Sequence, residues 1–330
     1  MKKQFALTLD LGERLEEFRR VGIDTPGPHD EYITDIQAEI GRIVNRSLPE
    51  DYDVSPIHVG DLADDIIGKA SQLPAVRHGA TILSTCPEIA YPTRGMEIDI
   101  NRLISFDGKN LGLGPRPGRE LVKDQMRLVH AKTHRSGVVL VEDGVFSGAT
   151  VRHVIDRLEQ SRIPIRGVAV GLDCSETFAG EMEARGYDFF VTKQGTHYVD
   201  WVPDHDFIPF IPGSGRVLGV HLNDEEGAIP LYDHRESTSY TVPYIEPFGP
   251  IDDWASIEKT KAQQASVALL GLAIDLFLTL ERRNADIDLR IGDLLRTKQT
   301  RLRTSLPARL NKPHFPPLDS KVSKYLSEMM

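Results

Sequence analysis

Between residues 121 and 193 the chain alternates apolar runs with stretches of helical periodicity: ELVKDQMRLVHAK, VVLVED, ATVRHVIDRLEQ, IRGVAVGLD, SETFAGEMEARG and YDFFVTK. Runs such as VVLV and GVAVGL carry no polar face, so a sheet built from them must be covered on both sides. In the stretch between them Val151, Val154, Ile155 and Leu158 fall on one helical face. Strands separated by helices of about ten to fifteen residues form right-handed crossovers and a parallel sheet. The expected fold class is therefore α/β, a doubly wound and mainly parallel sheet, with a helical N-terminal segment and a C-terminal extension.

The flanking sequence divides on the same grounds. HDEYITDIQAEIGRIV and DLADDIIGKASQL read as helices, the second with Leu62, Ile66, Ala70 and Leu73 on one stripe. ATILST reads as a short strand. The Pro- and Gly-rich run CPEIAYPTRGMEIDINRLISFDGKNLGLGPRPGRE follows, with a strand at MEIDINRLI, and loops of such length are functional or mobile. Beyond Asp200 short strand-like pieces are punctuated by proline, and residues 254–283 read as one long helix, apolar nearly all round, for a core or a subunit interface. The expected division is 1–54 helical, 55–220 an α/β core and 221–330 a C-terminal extension.

A net charge of -10 argues against nucleic-acid binding as the main business of the chain. The Arg- and Lys-rich stretch from Glu281 to Lys312 reads as a solvated face or tail, with phosphate binding in reserve. Cys86 and Cys174 make neither a disulfide framework nor a metal quartet, which suits a reducing compartment. The start, MKKQFALTLDLGERLEE, regains charge too soon for an export signal. ASVALLGLAIDLFLTL, residues 265–280, is shorter than the roughly 20 residues of a membrane span and carries Asp275. A cytoplasmic protein without a membrane partner is expected.

At GVVLVEDGVFSGATVRHVIDRL, residues 137–158, two adjacent carboxylates, Glu142 and Asp143, end an apolar strand just before a glycine and hydroxyl turn. Two like charges at a sheet mouth are costly unless something neutralises or uses them. In an open parallel sheet ligands bind beyond the carboxyl ends of the strands. The turn leads into a helix, so its N–H groups and the hydroxyls of Ser147 and Thr150 converge with the positive end of the helix dipole on an anion site. Gly148 is where a side chain would block close approach. A turn suited to phosphate, below carboxylates that want hydroxyl donors or a cation, fits a sugar phosphate carrying magnesium.

VVLVEDGVFSGAT resembles the phosphoribosyl-pyrophosphate-binding signature of the type I phosphoribosyltransferases: aliphatics, an acidic pair, three variable residues, then Ser or Thr, Gly, any residue, and Thr or Ser. The alternating elements extend the likeness from about residue 55 to 200. The resemblance implies a sheet of that family's kind and transfer of a phosphoribosyl group from phosphoribosyl pyrophosphate to a nitrogenous base, with release of pyrophosphate. Glu142 and Asp143 would hold the ribose hydroxyls, and Ser147, Gly148, Ala149 and Thr150 the 5-phosphate. Magnesium would come bound to the substrate, with no direct protein ligand. A homodimer is expected, working in nucleotide metabolism.

Other family positions match less well. The residue before the turn serine, an aspartate in members acting on 6-oxopurines, is Phe146, which puts such chemistry in doubt. The pyrophosphate loop should follow ATILST, where TCPEIAYPTRG offers Arg94 but matches poorly. GKNLGLGPRPGRE would be the mobile loop, with Lys109, Arg116 and Arg119 on the departing pyrophosphate, or else ordinary solvated charges. Lys193, Trp201 and Val202 resemble the base-binding hood, the aromatic stacking on the base; core packing for Trp201 and a surface charge for Lys193 are the plainer readings. GSGRVLG has the wrong spacing for a dinucleotide loop. His197 and His205 with Asp204 and Asp206 lack diagnostic metal spacing. Two competitors keep the pocket and change the chemistry: a non-catalytic protein that senses phosphoribosyl pyrophosphate or nucleotides or binds a partner, or a hydrolase.

Overall fold

The structure, a computed structural model, describes residues 2–86, 89, 95–133, 135–175, 177–193, 198–221, 227–233, 238–286 and 297–299. The chain begins with β1 (Lys3–Leu9), α1 (Leu11–Arg14), α2 (Glu16–Arg19) and α3 (Glu31–Ser47). Next come β2 (Tyr52–His58), α4 (Val59–Gln72), α5 (Pro74–Arg77), β3 (Thr81–Ser84), β4 (Met96–Glu97), β5 (Ile100–Ile104) and β6 (Asn110–Pro115). The regular middle is α6 (Val122–Thr133), β7 (Val138–Val145), α7 (Ala149–Gln160), β8 (Ile165–Asp173), α8 (Phe178–Ala184), β9 (Phe189–Val191) and β10 (Tyr198–Pro203). The last part holds β11 (Arg216–His221), β12 (Ala228–Pro230), β13 (Tyr232–Asp233), β14 (Thr238–Val242), α9 (Ile251–Trp254), α10 (Ala262–Arg283) and β15 (Thr297–Gln299).

These elements form two units that interleave along the chain rather than following one another. The first comprises residues 1–8, 51–101 and 119–202, the second residues 9–50, 102–118 and 203–330. The first unit is α/β. Its five-stranded sheet has the order β4-β3-β7-β8-β9 and is parallel between every pair of neighbours. Val139 and Val141 of β7 and Ala169 of β8 share a core with Leu62, Ala63, Ile66 and Ala70 of α4. Strand alternation turns Leu140, Val168 and Val170, also buried, to the opposite face. There α7 packs on β7 and β8, as a right-handed crossover requires, with Val151, Val154, Ile155 and Leu158 inward. Helices on both faces explain why no residue from Val138 to Glu142 reaches full exposure. A three-stranded sheet, β10-β1-β2, adds Ala6, Ile57 and Tyr198 to the α4-side core.

The second unit is built on a mixed sheet of order β13-β14-β11-β5-β6, with β12 on β11 and β15 on β14. Strand β11 runs antiparallel to β14 and parallel to β5. Helix α3, capped by Asp30, whose side chain accepts the Tyr32 N–H at 3.0 Å, buries Ile33, Ile36, Ile40, Ile43 and Val44 and packs against α10.

Three stretches differ from the sequence reading. The first 54 residues contain strand β1 and the start of β2 besides helices. Residues 254–283 form no continuous helix: the chain leaves helical geometry after Trp254, Ser256 takes φ +50, and the Glu258 N–H donates to Ser47 O at 2.9 Å, bringing the chain to the end of α3. NLGLGP, read as part of a mobile loop, is strand β6 of the second unit. Its alternation of leucine with glycine is a strand pattern, and a side chain on Gly114 would run into the Ala228 carbonyl oxygen and come within 2.8 Å of Leu103 Cδ1.

Candidate functional site

The acidic pair and the turn occupy the carboxyl end of β7, the strand paired with both β3 and β8. Glu142 is 9% exposed, and Asp143 is half-buried. Asp143 Oδ1 accepts the Gly144 N–H at 2.9 Å, and Oδ2 lies 3.3 Å from Cys86 Sγ, a thiol at the tip of the adjacent strand β3. Gly171 and Trp201 pack closely on this strand end. Gly171 of β8 faces the Asp143 carbonyl, and a side chain there would strike that oxygen and come within 2.7 Å of Leu62 Cδ1. Gly144 admits the Trp201 indole, whose Cε3 would lie 3.0 Å from any Cβ built on it. The Trp201 indole N–H in turn donates to Thr8 Oγ1 at 3.1 Å.

The turn itself is left-handed at Gly148, φ +70, immediately before α7. A Cβ there would also lie 2.6 Å from Phe178 Cε2, so conformation and packing both demand glycine. Arg152 fixes the outside of the bend. It donates through Nη1 to the Ser147 carbonyl and through Nε to Glu181 Oε2 at 2.6 Å, and its guanidinium lies 5.5 Å from the centre of the Phe178 ring. No acceptor among the described residues takes the N–H groups of Ser147, Gly148, Ala149 or Thr150. The first helical N–H to be satisfied is that of Arg152, which donates to Gly148 O at 2.9 Å. The turn thus presents a row of unengaged donors at a helix amino terminus, the arrangement that binds phosphate oxygens. Ser147 is exposed, Thr150 half-buried, and the Phe146 ring beside them is 52% exposed.

Most of the remaining sequence candidates are held by partners of their own. Lys193 donates to Asp65 Oδ2 at 2.8 Å, and its own N–H goes to Gly171 O at 3.1 Å. Trp201 is half-buried, and Val202 is buried. Arg119 pairs with Asp99 at 3.4 Å, and Lys109 with Asp107 at 2.6 Å. Lys109 and Arg116 belong to the second unit, the signature to the first. Arg94 and His197 lie outside the described residues. Sequence reasoning missed Cys86, Arg152, Phe178, Gly144 and Gly171. The glycines carried a signal, because a glycine inside an apolar strand marks a close approach. Cys174, at the end of β8, has its thiol pushed up to about 12 by burial and then by Asp200 and Asp173, and so stays protonated.

The second unit contains a buried ionic cluster in the turn Asp204–Phe207. Asp204 Oδ1 accepts the N–H groups of Asp10 and Leu11 at 3.0 and 2.9 Å, capping α1, and Oδ2 accepts from Gln37 at 2.8 Å. His205 Nδ1 lies 2.6 Å from Asp10 Oδ1 and its Nε2 3.4 Å from Asp206 Oδ1, while Arg14 Nε lies 3.4 Å from Asp10 Oδ2. Burial lowers the affinity of His205 for a proton, but the carboxylates of Asp10 and Asp206 more than offset it and hold its pKa above the ordinary value. Burial and the Asp10 charge push Asp204 well up, and burial raises Asp206. Ligand atoms of Asp10, Asp204 and His205 come within 4.8 Å of one another, a spacing that suits a metal ion. They are already engaged in capping and pairing, so the cluster is satisfied as a structural knot.

No family model matches the sequence, and no curated protein matches it. Solved structures are similar in part. One is the crystal structure of TT1426 from Thermus thermophilus, 20% identical over 43% of this chain and 88% of that one, with a TM-score of 0.24. Another is UMP synthase of Leishmania donovani, 14% identical over 52% of this chain, with a TM-score of 0.25. The match spans 39% of that enzyme's length. The reading of the site rests on its own residues.

Proposed function

We propose that the chain binds phosphoribosyl pyrophosphate at the β7–α7 turn and transfers the phosphoribosyl group to a nitrogenous base, releasing pyrophosphate. The observation that carries this reading is the run of unengaged N–H donors at Ser147–Thr150 directly beyond the Glu142 and Asp143 carboxylates. The donors fit a 5-phosphate, and the carboxylates fit a pair of ribose hydroxyls. Displacement at the anomeric carbon puts positive charge on the ribose ring, and two carboxylates facing it favour that charge. Magnesium enters as part of the substrate, offsetting the pyrophosphate charge. Phe146 has no proton to give or take, so this position supplies no acid or base to the acceptor.

A second reading, a sensor that binds the same ligand without turnover, is favoured by β6: the stretch assigned to cover the departing pyrophosphate is in part a strand, and Lys109 beside it is tied to Asp107 at 2.6 Å. Incubation with phosphoribosyl pyrophosphate, magnesium and a panel of bases separates the possibilities. Base-dependent pyrophosphate release is expected. A raised melting temperature without release makes the chain a sensor, release without base makes it a hydrolase, and neither binding nor release ends the proposal.

A further inference from the structure

Helix α10 is 22 residues long, about 33 Å at 1.5 Å per residue. One side is fully committed within its own unit. Ala265, Ser266, Leu269, Ala273, Leu276, Phe277 and Leu280 are buried, and α3 packs along them. Polar ties fasten the same helix: Tyr32 Oη donates to Asp275 Oδ2 at 2.9 Å, the Glu246 N–H donates to Ser266 Oγ at 3.0 Å, and Asn284 at its end exchanges hydrogen bonds with Asp24.

The opposite side is apolar and exposed among the described residues. Six large apolar side chains are exposed among the described residues, and three stand on this helix: Val267 at 64%, Ile274 at 60% and Leu278 at 50%. They share a stripe with Gly271, where an added Cβ would meet nothing within 4 Å. Positions 267, 271, 274 and 278 are separated by four, three and four residues, the spacing of a coiled-coil seam. Exposed Gln263, Gln264, Asp275, Glu281 and Arg282 flank it. An apolar strip this narrow between polar margins suits one partner helix.

We propose that this stripe is the interface with a second copy of the chain, two α10 helices packing antiparallel across a two-fold axis level with Leu272 and Ala273. The register follows from the side chains. With the axis there, Ile274 of each copy enters the gap over Gly271 of the other, and Val267 meets Leu278, every contact occurring twice as a closed dimer requires. Large meets small at the centre and branched meets long at the margins. Glu281 then lies beside Gln264 and Arg282 beside Gln263. A parallel pair would instead oppose Glu281 to Glu281 and Arg282 to Arg282, align the helix dipoles, and leave two glycines facing across a void. By length and a mean hydropathy of 1.5 the helix also qualifies as a membrane span. Its packed face, the Asp275 tie and the polar margins favour protein over lipid.

Sedimentation equilibrium of the full chain is expected to give twice the 36.9 kDa mass at high concentration, falling to the single mass on dilution. Ile274→Asp places two carboxylates at the crossing and should leave only monomer, which melts where the diluted, monomeric wild type melts because the side chain is exposed. Ile274→Gln should weaken association at least tenfold. For the register, V267C and L278C combined in one chain should form an interchain disulfide under mild oxidation, whereas each alone should not. A wild-type chain that stays monomeric throughout, a dimer indifferent to both Ile274 variants, association that appears only with lipid vesicles, or linkage by the single cysteines would each overturn the proposal.

Discussion

At the scale of single residues, the candidate site depends on a few atoms whose roles can be separated. Asp143 accepts a neighbouring N–H through Oδ1 and meets a thiol through Oδ2, and Asp143→Asn keeps the side chain's shape while removing its charge. Turnover should fall about a hundredfold while the melting temperature moves little; rates and calorimetry run side by side check this, and equal loss of both would mean the carboxylate is structural. Gly148→Ala has a different signature, because φ +70 and the Phe178 ring both resist a Cβ. It should cost about 1–3 kcal/mol of stability and abolish the protection that ribose 5-phosphate gives against thermal unfolding. The buried His205 supplies a pH dependence. Its pKa is raised in the folded chain, so its protonation stabilises the fold fully below the unfolded value near 6.5 and loses that effect as pH rises through the folded value. The melting-temperature gap between wild type and His205→Gln should therefore be wide at mildly acidic pH and narrow in alkali. A gap independent of pH would assign His205 a packing role alone.

At the scale of elements, the most legible parts of the sequence were those in which one period dominated. Residues 149–160 and 165–173 adopt the helix and strand that their patterns predict, because four apolar residues at helical spacing and an unbroken apolar run each have a single way to be buried. The turn was legible for a related reason: Ser147 and Gly148, which favour no regular structure, stand between two strongly patterned elements. What stayed hidden depended on partners distant in sequence. Strand β6 looked like a loop because glycine stood at the alternate positions, and only the Ala228 carbonyl, more than a hundred residues away, shows why glycine is needed. Packing was the plainer reading of Trp201 and a base platform the other, and nothing local announces that Gly144 will make room for the indole. Phe178 shows how an element supports a site from behind: it opens α8, is fully buried, packs edge-on to Phe189 at 5.6 Å, and fills the space under Gly148. Phe178→Ala should cost roughly 3–5 kcal/mol and weaken ribose 5-phosphate binding more than Leu269→Ala in α10 of the second unit does. Equal binding by the two variants would show that the turn holds its shape without that ring.

At the scale of the whole molecule, the order of segments matters more than their content. Each unit takes three separate stretches of chain, so a cut at any one point in the sequence leaves at least one unit incomplete. A chain ended after Val202 illustrates the consequence. It keeps every segment of the parallel-sheet unit and the entire turn from Glu142 to Thr150. It also keeps residues 9–50 and 102–118, whose partners it has lost: α3 retains Ile33, Ile36, Ile40, Ile43 and Val44 without α10, β5 loses β11, and the α1 amino terminus loses its Asp204 cap. An amphipathic helix and an unpaired strand edge in water are sites of aggregation. The expected outcome is a fragment that binds a hydrophobic dye and precipitates on heating, while the full chain unfolds cooperatively. If the fragment instead melts sharply and still binds ribose 5-phosphate, the first unit folds alone, and the interleaving reflects how the chain is threaded and places no demand on its folding.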